Sequence, residues 1–225
     1  MRMRKKPNLV PRIERCGAVF ISEPEPYRGV WLKSFPEYRD VYLEIGCGKG
    51  RFTAETAVSM PDTLLVAVER VADAMIIGME RAVREEISNV RFIKADASNL
   101  TELFGDGELG RIYINFCDPW PGNRHGKRRL TAEGFLDIYK RLLCPGGEIH
   151  FKTDNVPLFE FSLSSFRSAG FELFDVTRNL HQNGPVGVMT DYEQKFYSQN
   201  IAINRCVARL PESGAAHLSD PDGNH

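Results

Sequence analysis

The chain has 225 residues, 42% hydrophobic and 26% charged, with 29 Lys and Arg against 30 Asp and Glu and a formal net charge of −1. That is enough apolar material for one sizeable core, and it excludes a uniformly basic nucleic-acid binder. No apolar run reaches the ~20 residues that span a bilayer, and five cysteines without C-x-x-C spacing suggest neither a disulfide framework nor a zinc site.

The opening Met1-Arg2-Met3-Arg4-Lys5-Lys6 runs into Pro7 and polar residues instead of a signal-peptide core, which predicts a cytoplasmic protein. Residues 1–37 read as a basic arm and lead-in, with Arg2, Arg4, Lys5, Lys6, Arg12 and Arg15 against Glu14. An arm that orders on RNA and a solubilising tail both fit that charge. Trp31, in the segment 29–35, is expected either to be exposed at an oligomer interface or to pack over a sheet edge. Monomer and homodimer both stay open.

A strand over 41–45 then meets three alternating glycines, Gly46, Gly48 and Gly50, and a helix over 51–59. Such a strand, glycine turn and helix lets backbone approach a ligand and aims unpaired N–H groups at it. A dinucleotide fingerprint would place its third glycine at position 51, where the chain has Arg51. Glu44 instead gives E-x-G-x-G-x-G, and a carboxylate there suits a ligand with a cationic amino-acid portion or ribose hydroxyls. S-adenosylmethionine has both.

Further strands are expected over 64–69, 90–96, 111–118, 148–153, 171–177 and 196–207, and helices over 72–86, 99–104, 131–143 and 156–169. Thr131 is the expected N-cap of the fourth helix, and Cys144-Pro145-Gly146-Gly147 stops it. With no helix predicted between the last two strands, the sheet should end in an antiparallel pair. The order predicts an α/β, doubly wound, mostly parallel seven-stranded sheet over 38–210, followed by a disordered tail over 211–225.

Acidic residues stand where successive strands end: Glu44, Glu69, Asp96 and Asp118. Ligands of open α/β sheets bind beyond those carboxyl ends. Glu69 suits ribose hydroxyls, and Asp96 suits the exocyclic amine of adenine. Magnesium competes as an explanation for clustered acids, but the turn lacks the Lys-Ser/Thr ending of a P-loop, so no metal is expected. After Asp118 comes Pro119-Trp120-Pro121, a rigid turn whose indole can stack on a flipped base or cap the core. A cluster of Arg124, His125, Lys127, Arg128 and Arg129 follows and suits phosphate contact.

Taken together, Leu43-Glu44-Ile45-Gly46-Cys47-Gly48-Lys49-Gly50, Val68-Glu69, Ala95-Asp96-Ala97, Asn115-Phe116-Cys117-Asp118-Pro119-Trp120-Pro121, Arg124-His125-Gly126-Lys127-Arg128-Arg129 and Thr190-Asp191-Tyr192-Glu193-Gln194-Lys195-Phe196 resemble the bacterial tRNA (guanine-N7-)-methyltransferases from about residue 38 to 207. D-P-W-P, R-H-x-K-R-R and T-x-Y-E-x-K-F are the specific parts. The resemblance implies a Rossmann-like class I S-adenosylmethionine-dependent methyltransferase fold and methyl transfer to N7 of a guanosine in the tRNA variable loop. It implies cofactor binding by Glu44, Gly46, Glu69, Asp96 and Asp118, with Asp118 catalytic. Substrate contact is implied at Asp154, Thr190, Asp191, Tyr192 and Glu193, where Glu193 or Asp154 would accept from guanine N1–H and N2–H₂ and Tyr192 would stack or hydrogen-bond. The family's usual Lys after D-P-W-P is replaced by Gly122, which leaves Arg124 or Lys127 to reach that phosphate. Two rival readings are an enzyme that methylates a small molecule or protein, and an RNA-binding protein that has lost catalysis.

Overall fold

The computed structural model describes residues 6–212. The basic residues Arg2, Arg4 and Lys5, and the tail beyond position 212, lie outside the described residues. Long apolar runs make strands covered on both faces, as in β2 (Thr63–Val68), every residue of which is buried. With β1 (Asp40–Ile45), β3 (Val90–Ile93), β4 (Leu109–Asn115), β5 (Leu143–Thr153), β6 (Glu172–Thr177) and β7 (Asn204–Arg209) it builds one sheet in the order β3-β2-β1-β4-β5-β7-β6. Strands β1 to β5 pair in parallel, and β7 runs antiparallel to both β5 and β6. The chain steps outward from β1 to β3 and returns to β4 on the other side of β1, so the order reverses there. A crevice opens at such a reversal.

Alternation along the strands sorts side chains into two layers. Val41, Leu43 and Ile45 join Leu64, Val66 and Val68 in a core with α2 (Trp31–Ser34), α5 (Leu100–Leu103), α6 (Glu133–Leu142) and α7 (Val156–Ser168). Leu65, Ala67, Phe92 and Tyr113 face the other way, into a core with α3 (Arg51–Ser59) and α4 (Ala72–Arg84). Among the described residues no helix is long and apolar enough to cross a membrane.

Three expectations need correction. The strand expected over 196–207 is the end of a further helix, α8 (Asp191–Ser198), followed by the shorter β7. Thr190 and Glu193 form a capping box that starts this helix, and that local signal overrides the strand-like residues after it. A helix therefore does separate the last two strands, although their pairing is antiparallel as expected.

Thr131 does not cap α6. Its hydroxyl lies 2.7 Å from the Ser162 hydroxyl in a buried contact that ties the entry of α6 to α7, and Ala132 is the N-cap. Of the two placements open for Trp31, the packed one holds: it is fully buried, stacks on Tyr27 and Phe104, and donates its indole N–H to the Leu103 carbonyl at 3.0 Å. Finally, β5 starts at Leu143 instead of 148, because a register shift against β4 absorbs the Cys144 to Gly147 turn.

Within the lead-in, α1 (Leu9–Arg15) lies on α4. Arg12 there makes two 2.6 Å bonds to the Glu80 carboxylate, holding that carboxyl below its ordinary range. Both groups are partly exposed, so screening keeps the pair modest. Arg12→Ala should cost about 1 kcal/mol and lower the melting temperature by roughly 2–4 °C. Differential scanning calorimetry of the two proteins measures it, and an unchanged melting point would leave α1 without an anchor there.

Candidate active site

At the carboxyl ends of β1, β2 and β4 and beyond β3 lies a cavity of about 520 Å³. Gly46, Glu69, Asp96 and Asp118 all line it, together with Asn115, Trp120, Lys127 and Arg128. Four of the five residues expected to hold the cofactor are thus brought to one space. The fifth, Glu44, sits behind it.

Strand alternation explains that difference. Ile45 points toward the cavity side, so Glu44 turns into the opposite layer, where it is 2% exposed and accepts from the Thr53 hydroxyl of α3 and from Asn115 Nδ2 at 3.3 Å. Burial pushes its carboxyl up to about 7, against the pull of those two hydrogen bonds. Asn115 lines the cavity floor, and its Oδ1 is buried without a partner among the described residues. The floor therefore presents an unpaired acceptor with a buried acid behind it, an arrangement that suits a donor.

A carboxyl that titrates near 7 in the fold and near 4.5 when unfolded keeps its proton longer in the native state. Stability of the unliganded protein should then fall as pH rises through that interval, with the whole penalty present above it. Glu44→Gln removes this slope, so the variant should melt above the parent at pH 8 and converge with it toward pH 5. Thermal melts across pH test it; parallel curves would mean that Glu44 is not the group titrating.

Glu69 and Asp96 are organised by backbone. Glu69 accepts from the N–H of Gly48 at 3.0 Å and of Val71 at 2.8 Å, which fixes the glycine turn against the end of β2. Asp96 accepts from the Ser98 N–H at 3.0 Å and hydroxyl at 2.8 Å, with Arg70 3.6 Å away, and these bonds hold its carboxyl below the ordinary range. Asp118 differs, being exposed with no side-chain hydrogen bond among the described residues. Beside it the Cys117 thiol is pushed up to about 12, first by burial and then by Asp118, so no thiolate nucleophile stands there.

The loop carrying Asp118 is held tightly. Arg129 donates to the carbonyls of Pro119 and Trp120 at 3.1 and 3.2 Å, and the Arg128 guanidinium lies 5.0 Å from the centre of the Trp120 ring. Trp120 is therefore neither in the core nor bare; one π-face already carries a cation. Gly122 adopts φ 90° and ψ 144°, a conformation close to the region that only glycine visits easily. Lys127 lines the cavity, and both Lys127 and Arg124 are exposed.

Helix α8 brings the T-x-Y-E segment to this end of the sheet. Tyr192 is 61% exposed, and its ring lies 6.5 Å from that of Phe116, two residues before Asp118. Arg51, directly after the glycine turn, hydrogen-bonds Gln194 and lies 3.8 Å from Asp191. Asp154 is exposed just past the end of β5. Thr190 and Glu193 are used internally: Thr190 caps the helix, and Glu193 is fully buried against Lys152 and His181. The sequence reading missed Lys152, His181, Asn115 and Thr53. The spacing Thr190-x-x-Glu193 carried the capping signal, whereas the partners of Glu193 lie on separate elements and leave no local trace.

Comparison with known proteins gives the family and the fold. The Methyltransf_4 family, described as "Putative methyltransferase", matches residues 38–206. A tRNA (guanine-N(7)-)-methyltransferase of Geobacillus thermodenitrificans is 43% identical over 212 residues, covering 94% of this chain and 98% of that protein. The chain belongs to the tRNA (guanine-N(7)-)-methyltransferase family. A second member, from Brevibacillus brevis, is 42% identical over 210 residues, 92% of this chain and 98% of its own length. Among solved structures, the 16S rRNA methyltransferase KamB aligns with a TM-score of 0.63 at 19% identity, over 80% of this chain and 92% of its own. The aminoglycoside resistance methyltransferase NpmB1 gives 0.61 at 19% identity, over 84% and 94%. These two show the shared fold, and the family's members fix where within it this chain falls.

Proposed function

We propose that this protein transfers the methyl group of S-adenosylmethionine to N7 of a variable-loop guanosine in tRNA. The observation that carries the reading is the convergence of Glu69, Asp96 and Asp118 on one cavity beside the glycine turn, in a chain of this family. S-adenosylmethionine, when bound, supplies an electrophilic sulfonium methyl. The unpaired Asn115 Oδ1 on the floor, with the buried Glu44 behind it, suits its ammonium group, the Glu69 carboxylate suits its ribose hydroxyls, and Asp96 suits the exocyclic amine of its adenine.

Guanine N7 has an in-plane lone pair and no proton to lose, so the attack needs no general base. Positioning supplies most of the acceleration. Methylation leaves positive charge on the purine, and Asp118, facing the same cavity without a side-chain partner among the described residues, stabilises that charge as it develops. Asp154 can accept from guanine N1–H and N2–H₂, a donor pair that adenine lacks. Tyr192 presents an exposed ring beside the cavity, and Arg124 and Lys127 are placed for phosphates.

The test is transfer from labelled S-adenosylmethionine to unmodified tRNA carrying a variable-loop guanosine, with nucleoside analysis and a control tRNA bearing adenosine at that position. 7-Methylguanosine that vanishes in the control is the expected result. Cofactor binding without transfer to tRNA would reject this acceptor.

A further inference from the structure

We infer that Glu193 is a positioning residue: with Lys152 and His181 it forms a buried anchor that fixes α8, and so places Tyr192 beside Phe116 of the cavity wall and Asp191 beside Arg51, instead of reading the guanine itself. The inference deepens the proposed reaction, and rests on it for what α8 meets there.

The carboxylate of Glu193 has no free edge. Lys152 Nζ donates to its two oxygens at 3.0 and 3.1 Å, His181 Nε2 lies 2.9 Å from Oε1, and the Thr190 N–H reaches Oε2 at 3.2 Å. The Val186 N–H donates to His181 Nδ1 at 3.2 Å, which places the ring proton on Nε2 and makes the imidazole a donor to Glu193. The Glu193 side chain is 0% exposed, and those of His181 and Lys152 are 4% and 11% exposed. Donors thus arrive from the end of β5, from the loop before α8 and from the helix cap. A base seeking this carboxylate would have to displace a buried ion pair.

What the anchor controls is the direction of the next side chains. The residue before Glu193 is the exposed Tyr192, whose helix packs Phe196 5.8 Å from Phe116. On its outer side the same helix meets Arg51 through Asp191 and Gln194. His181 also lies edge-on to Tyr197, with ring centres 5.3 Å apart. Helix α8 has only eight residues and isolated helices of that length are marginal in water, so its orientation depends on these attachments.

Lys152→Met, Glu193→Gln and the double variant separate the two roles. Each single variant should raise KM for tRNA roughly 10-fold, and the double should be no worse than the poorer single, because coupled partners are not additive. The affinity for S-adenosylmethionine should stay within about twofold by calorimetry, and the adenosine control tRNA should remain unmethylated in all three. Hydrogen exchange at residues 190–198 should speed up in both single variants while the strands keep their protection, a readout that needs no tRNA. Acceptance of adenosine by Glu193→Gln, with Lys152→Met indistinguishable from the parent, would overturn the inference, because Glu193 would then be touching the base. Loss of cofactor binding in the double variant would overturn it too, since the cluster would be holding the sheet and not the helix. Absence of 7-methylguanosine with the parent protein would sink the proposed reaction alone, and the exchange measurement would still decide the anchor.

Discussion

Asp118→Asn is expected to slow single-turnover methyl transfer about 100-fold at saturating cofactor and tRNA, the scale seen when one preorganised group is removed from developing charge. Saturation matters, because Asp118 also lines the cavity where the cofactor is proposed to bind, and a simple loss of affinity would appear in KM and not in the single-turnover rate. Asn keeps the shape of the side chain and removes its charge, whereas Asp118→Ala removes both. Near-equal loss in the two would assign the effect to charge, and a much milder Asn variant would assign it to hydrogen bonding. Backbone geometry argues that the placement is specific. Phe116 and Trp120, the bulky residues flanking Asp118 at two positions on either side, both have positive φ, 53° and 43°. Such conformations cost of order 1–3 kcal/mol each and persist only where neighbours enforce them. Here Arg129 holds the Pro119 and Trp120 carbonyls, and α8 packs on Phe116. If Asp118→Asn turned over within a few-fold of the parent, the electrostatic role would be lost and the strained loop would need another purpose.

How much of this was legible in the sequence depends on whether the signal was local. The acids Glu69, Asp96 and Asp118, one to three residues past the ends of β2, β3 and β4, reach one cavity because a parallel sheet aligns its carboxyl ends, and that rule needs only the strand order. Glu44 belongs to the same series by position but not by direction: its side chain alternates away from the cavity and meets Thr53 behind the turn. Tyr27, Trp31 and Phe35 recur at intervals of four, a helical spacing that foretells their stacking, yet burial of Trp31 also required Phe104 and the Leu103 carbonyl from a distant segment. The T-x-Y-E segment was legible as a family motif but not as the start of a helix. Its Thr and Glu close a capping box, and the Glu is then committed to Lys152 of β5, a partner 41 residues away that no short window reveals.

Gly50→Ala is expected to destabilise the protein by about 3 kcal/mol, combining backbone strain with overpacking, and to lower its melting temperature by roughly 10 °C. Gly50 has φ +69°, and a Cβ built there would lie 2.6 Å from the Cα of Gly78 in α4, a backbone atom that cannot swing aside. Neighbouring glycines separate the two contributions. Gly48 has φ +56° with nothing within 4 Å of a Cβ, so Gly48→Ala carries strain alone and should cost about 1 kcal/mol. Gly78 is helical, and its Cβ would meet the Cα of Gly50 at 2.8 Å, so Gly78→Ala carries the clash, partly offset by about 1 kcal/mol of helix propensity. The close pairing of these two glycines lets the turn sit down on α4 while Glu69 grips the Gly48 N–H, and that fixes the rim of the cavity. Cofactor affinity should therefore fall further in Gly50→Ala than in Gly78→Ala, because only the former distorts the turn itself. Thermal melts and cofactor titrations of the three variants decide the matter. Gly50→Ala melting alongside Gly48→Ala would show that the turn and α4 do not meet at this distance in solution.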